Sequence, residues 1–167
     1  MSGSRRITVV AAIALILGGV TAPAGQAKEF QKVQFRNVDS GKVLWTALSY
    51  GPARVADAIG VLSEKWELVP SLRGYLIRNA YSKACLQAPR VLGEAITMEP
   101  CNDQVPTQEW GLDSAGDKIT ITEIADRKYV IEEMARESCP VPGPPEDCAA
   151  KRFVTGHPLQ LWDVLPA

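Results

Sequence analysis

Three segments of the chain open alike and close alike, each on a tryptophan. The first begins Phe35-Arg36-Asn37, runs through Asp39-Ser40-Gly41-Lys42-Val43-Leu44 and closes with Glu64-Lys65-Trp66-Glu67-Leu68. The second begins Ile77-Arg78-Asn79, continues Ser82-Lys83-Ala84-Cys85-Leu86 and closes with Gln108-Glu109-Trp110-Gly111-Leu112. The third begins Ile121-Thr122-Glu123, continues Asp126-Arg127-Lys128-Tyr129-Val130 and closes with Gln160-Leu161-Trp162-Asp163-Val164. Phe35 and Ile77 are 42 residues apart, Ile77 and Ile121 are 44 apart, and so are Trp66 and Trp110. A repeat of that length is one supersecondary unit that buries its apolar face against its copies. Trp110 to Trp162 is longer, at 52 residues, because Ser138 to Cys148 intervenes with Pro140, Pro142, Pro144 and Pro145. Proline cannot donate to a strand ladder, so this insertion is a loop.

Inside each unit the apolar pattern is that of short strands. Val33 and Phe35 alternate with polar neighbours, as do Ile119 and Ile121, and Ile96 and Met98 flank Thr97. Period two marks half-buried strands, and Gly, Pro, Asp and Asn punctuate the runs every 8 to 12 residues or so. Ala53 to Leu62 fits one or two helical turns and fits a strand equally well. The expected class is all-β, with units at about 30–70, 71–113 and 114–167.

The first 27 residues stand apart. Arg5 and Arg6 precede an apolar run from Ile7 to Val20, and Ala22-Pro23-Ala24 and Gly25-Gln26-Ala27 follow. The run is short of the roughly 20 residues that a membrane-crossing helix needs. Basic, then apolar, then small is the plan of a secretory signal peptide, cleaved after Ala24 or Ala27, with an uncleaved anchor as the rival. The Arg pair hints at a twin-arginine route, but its surroundings favour general secretion. These residues hold two of the 18 basic and none of the 19 acidic residues, so the remaining 140 carry a net charge of −3. Such a balance offers no footprint for nucleic acid. The expectation is a secreted domain over 28–167, monomeric and without stable membrane insertion. The chain has no N-x-S/T acceptor, and the export signal suits a bacterial source.

Export also governs the four cysteines, which in an oxidising compartment form disulfides. Three pairings are open, and the simplest is local: Cys85 with Cys101, and Cys139 with Cys148. Zinc is the rival, but no C-x-x-C occurs and the one histidine, His157, lies far from any ligand spacing. No metal and no cofactor is expected.

The units resemble a ricin-type β-trefoil, a lectin fold of three repeats of about 45 residues around a pseudo-threefold axis. The resemblance rests on Gln108-Glu109-Trp110 and Gln160-Leu161-Trp162, on the variant Glu64-Lys65-Trp66, and on Cys85-Leu86 followed by Pro100-Cys101. It implies that Trp66, Trp110 and Trp162 are core residues. Each brings large apolar area and an indole N–H that needs one acceptor. It also implies a sugar site in each repeat, made of an acid just after Cys-Leu, an aromatic just before the second cysteine and an Asn beside Q-x-W. In the second unit those positions hold Gln87, Glu99 and Thr107. In the first the acid position falls on Trp45; in the third it falls on Ile131, with Phe153 the aromatic nearest the stacking position. The implied function is therefore a carbohydrate-binding module with a degenerate site, for galactose or another glycan.

Outside the repeat-closing signature stands one more tryptophan, Trp45, with Tyr50 and Gly51 just beyond. Trp45 and Tyr50 are candidates for a stacking platform or a protein anchor, or else Trp45 covers a strand. Gln87, Glu99, Asn102 and Asp103 are candidates for a polar pocket near the second-unit cysteines, or for a solvated loop. The Cys139 to Cys148 loop is a candidate protein-binding protrusion, as in a protease inhibitor or a toxin-associated subunit. Catalysis is not expected: G-x-S-x-G is absent, and Glu132-Glu133 and Glu146-Asp147 read as solvated pairs.

Overall fold

The computed structural model describes residues 31–46, 49–135, 147–153 and 155–167. The expected signal segment at 1–27, most of the proline-rich insertion and Cys139 lie outside them. Thirteen strands are described, joined by short turns: β1 Lys32–Asn37, β2 Val43–Trp45, β3 Gly51–Pro52, β4 Arg54–Ala56, β5 Trp66–Pro70, β6 Tyr75–Asn79, β7 Cys85–Gln87, β8 Thr97–Glu99, β9 Glu109–Ala115, β10 Lys118–Glu123, β11 Tyr129–Met134, β12 Asp147–Phe153 and β13 Trp162–Pro166. The ambiguous Ala53 to Leu62 stretch resolves as strand β4 and an irregular segment, followed by a 3-10 turn over Leu62–Glu64. Among the described residues no helix is long and apolar enough to cross a membrane.

Six strands close into a ring. β1 pairs with β5, β5 with β6, β6 with β9, β9 with β10, β10 with β13, and β13 returns to β1. All these pairings are antiparallel, so the ring leaves no edge open. Three hairpins hang on the ring, one per unit: β2 with β4, β7 with β8, and β11 with β12. They meet one another as well, since β12 pairs with β4, β3 pairs with β8, and Ala95 bridges to Ala150. A barrel capped by three hairpins is the arrangement that a threefold repeat of strands implies.

The core repeats with the chain. Phe35, Ile77 and Ile121 are fully buried at equivalent places, as are Leu44, Leu86 and Ile131. Trp66, Trp110 and Trp162 fill the centre, and each indole donates to the carbonyl of the residue it covers: Leu44 at 3.0 Å, Leu86 at 3.0 Å and Ile131 at 3.3 Å. None of these three indole N–H groups is left without an acceptor. Gly74 fits where β6 passes β9, because a Cβ there would fall 2.4 Å from the Trp110 carbonyl oxygen.

One equivalent pair breaks the pattern. Asn37 and Asn79 follow the buried Phe35 and Ile77 by two residues, and each amide ties its turn to the 3-10 turn of the preceding unit, through Leu159 O and Ser63 O. The third unit has Glu123 there, and it has Lys151 where the second has the core residue Met98. Lys151 Nζ and Glu123 Oε2 are 2.8 Å apart, both buried. Two charges enter the third unit together, each as the other's partner.

Candidate functional site

The indole-to-carbonyl bonds give a register for comparing units that does not depend on the cysteines. Leu44, Leu86 and Ile131 each accept from a core tryptophan, so the residues after them are equivalent: Trp45, Gln87 and Glu132. The sequence comparison placed the third-unit acid position on Ile131. The structure moves it by one residue, onto Glu132. Across the hairpins, Val43 faces Ala56, Cys85 faces Glu99, and Val130 faces Arg152. The stacking position is therefore Ala56 in the first unit, Glu99 in the second and Arg152 in the third. Phe153 follows Arg152 and points to the opposite face of β12, where its ring lies 5.2 Å from Tyr129.

The residue two before each core tryptophan holds the loop beside the position after the core Leu or Ile. Gln108 Oε1 accepts from Asn102 N at 2.8 Å, while its Nε2 donates to Pro100 O and to Gln87 Oε1, both at 2.9 Å. Gln160 repeats this: Oε1 accepts from Thr155 N and Gly156 N, and Nε2 donates to Phe153 O at 2.8 Å and Glu132 Oε2 at 2.6 Å. Glu64, with two acceptor oxygens and no donor, takes Ile59 N at 2.7 Å and Gly60 N at 3.0 Å. The third unit thus keeps a carboxylate fixed by Gln160. A fixed carboxylate that still reaches the surface is a ready acceptor for a hydroxyl, and Glu132 is 18% exposed.

The second unit offers less. Gln87 and Glu99 share one face of β7 and β8, but the Gln87 oxygen is taken by Gln108. Asn102 Oδ1 caps Gln104 N, and Asp103 Oδ1 accepts from Gln104 Nε2, so both serve an exposed turn. Cys85 and Cys101 are joined, with Cα atoms 5.0 Å apart. Cys148 is also disulfide-bonded, and Cys139, its expected partner, lies outside the described residues.

In the first unit Trp45 lines two hollows. One, of about 450 Å³, is lined by Trp45, Val61, Leu62, Ser63 and Tyr81. The other, of about 260 Å³, is lined by Trp45, Ala56, Asp57, Ile59, Val61 and Glu64. Trp45 is half-buried, and its indole nitrogen has no hydrogen-bond partner. Tyr50, proposed as its companion from the sequence, is exposed but lines neither hollow; Tyr81 from the second unit takes that place. Ile59 and Leu62 are 77% and 55% exposed, an apolar surface that no periodic pattern announced.

Glu133 is not the solvated residue that the sequence suggested. It is buried, accepts from Ser40 Oγ at 2.6 Å and faces Lys42, which pairs with Asp147. Burial pushes its carboxyl above the usual range, against the Ser40 hydrogen bond and the Lys42 charge. Among the described residues no group of His, Cys, Asp and Glu is placed to hold a metal ion.

No protein-family model matches the chain, and no curated protein matches it in sequence. Solved structures do. The designed threefold-symmetric protein ThreeFoil superposes with a TM-score of 0.66 at 14% identity, over 81% of this chain and 99% of that one. The earthworm lectin C-terminal domain, solved as a mutant in complex with 6'-sialyllactose, gives 0.62 at 17%, over 82% and 99%. The cytolethal distending toxin from Actinobacillus actinomycetemcomitans gives 0.65 at 14%, over 81% and 91%. At such identities the likeness is one of fold, and with the ring of six strands, three hairpins and three core tryptophans it gives the chain the β-trefoil fold.

Proposed function

We propose that this β-trefoil is a secreted, non-catalytic glycan-binding module whose working site lies in the third unit. The observation that carries the reading is the Glu132 carboxylate, held by Gln160 Nε2 at 2.6 Å beside the surface. The fold shared with the earthworm lectin supports it, as does the position of Glu132 directly after the core Ile131, where the family resemblance places the acid. The first and second units contribute no fixed carboxylate there: Trp45 and Gln87 stand in its place. Glycan-array or calorimetric binding should therefore disappear in Glu132→Ala and survive in Gln87→Ala. Silence of the native protein across plant, fungal and bacterial glycans would sink the reading. Export predicts that protein recovered from the medium begins after Ala24 or Ala27, which N-terminal sequencing checks.

One observation favours a second reading, a protein-binding trefoil. The hollows beside Trp45 are lined mainly by apolar side chains, and an exposed apolar patch of this kind marks contact surfaces. In that case Trp45→Ala would abolish capture of a protein partner and leave glycan binding untouched.

A further inference from the structure

We propose that the third-unit site selects an acidic glycan, one that bears a carboxylate or sulfate group next to a free hydroxyl; the inference rests on the glycan-binding reading above. The site pairs an acceptor with an unsatisfied donor. Glu132 and Arg152 lie on the same face of the β11–β12 hairpin, two register positions apart. Gln160 engages Glu132 Oε2, and the closest approach of Arg152 is Nε to Glu132 Oε1 at 3.7 Å, an ion-pair distance beyond hydrogen-bond reach. Arg152 Nε is buried and has no hydrogen-bond partner. Nη2 donates to the Met134 sulfur at 3.5 Å, a weak acceptor.

A guanidinium is a planar fork of five donors suited to a carboxylate or a sulfate, and the Nη end of this one, not the buried Nε, is what an incoming anion would meet. The side chain is 39% exposed, so the fork is within reach of a solute. Gly93 lies beside it: a Cβ there would be 3.7 Å from Nη1, at ordinary contact distance. A positive charge here is peculiar to this unit, since the equivalent positions hold Ala56 and Glu99. An aromatic ring at this place would favour the apolar face of a neutral sugar. Arg152 instead favours an anionic substituent, while Glu132 takes the neighbouring hydroxyl.

Calorimetry on the full chain with three oligosaccharide probes tests the inference: a galacturonate oligomer, a sulfated galactose oligomer and a neutral galactose oligomer. At least one acidic probe should bind roughly tenfold tighter than the neutral one or better, with an affinity that falls as salt rises. Arg152→Gln should erase that preference, and Arg152→Lys, which keeps the charge but loses the fork, should retain only part of it. Glu132→Gln should weaken all probes that bind. Neutral and acidic probes bound alike, or a preference untouched by both Arg152 variants, would overturn the inference and leave the glycan-binding reading standing. No binding to any probe, together with a silent glycan array, would overturn both.

Discussion

Glu67 and Glu133 are both buried, and their surroundings pull their carboxyls in opposite directions. For Glu67 burial alone would raise the value, but hydrogen bonds from Lys83 at 3.0 Å and Arg78 at 2.7 Å outweigh it and hold it below the usual 4.5. For Glu133 burial wins, and the value stands above 4.5. The linkage signs follow. Glu67 contributes stability that is complete above about pH 4.5 and is lost as pH falls through its depressed folded value. Glu133 costs nothing below that point and costs more as pH rises through its raised folded value. Relative to the native protein, Glu67→Gln should lose stability as pH rises from the acid side, by about 1 kcal/mol because its partners are partly screened by water. Glu133→Gln should gain over the same direction, with Ser40 Oγ still donating to the amide oxygen. Urea unfolding midpoints on either side of the carboxylate range measure both. Parallel changes in the two variants would contradict the assignment. Neither residue's burial was legible in the sequence, because a Glu in a period-two strand gives no sign of which face is covered by another unit.

The hairpin β11–β12 shows where sequence reading stops. Its neighbour β7–β8 carries Cys85 as a landmark, and the position after Cys-Leu can be counted from it. The third unit offers Tyr129-Val130-Ile131-Glu132 instead, three large apolar residues in a row, so alternation cannot fix which one is Leu86's counterpart. The error of one residue hid Glu132, and the stacking position that Phe153 lies nearest to is held by Arg152. The hydrogen bond from Trp162 settles the register, and it is a long-range contact that no local pattern encodes. The same hairpin holds Lys151, whose charge is tolerated only with Glu123 beside it. Lys151→Met should cost about 3–5 kcal/mol by stranding the carboxylate. The double variant Glu123→Asn/Lys151→Met, which installs the second unit's residues, should recover most of that loss in denaturant melts. A double variant no more stable than the single one would show that the pair is not a unit.

At the scale of the molecule, the repeat, the strand class and the three core tryptophans could be read directly, because large apolar residues at a fixed period leave few folds open. The closing of the ring could not, since β1 and β13 meet only after the whole chain has been laid down. Stability is spread over similar units, so the loss of one staple should weaken the domain without dissolving it. Cys85→Ala/Cys101→Ala should lower stability by about 3 kcal/mol, the cost expected for a loop of this length. Near-ultraviolet dichroism should still report packed tryptophans in the folded baseline, and a flat spectrum would mean that the bridge, not the repeat, defines the fold.

The ring has one more consequence. β13 lies along β1 with Pro166 opposite Val33, and the Ala167 N–H donates to Lys32 O at 3.3 Å. Residues 32 and 167 are thus neighbours in space, and the point at which the polypeptide is interrupted becomes arbitrary. A circular permutant that joins them through a short glycine-serine bridge and opens instead at Leu72, 92% exposed on the turn between β5 and β6, should fold to the same spectrum.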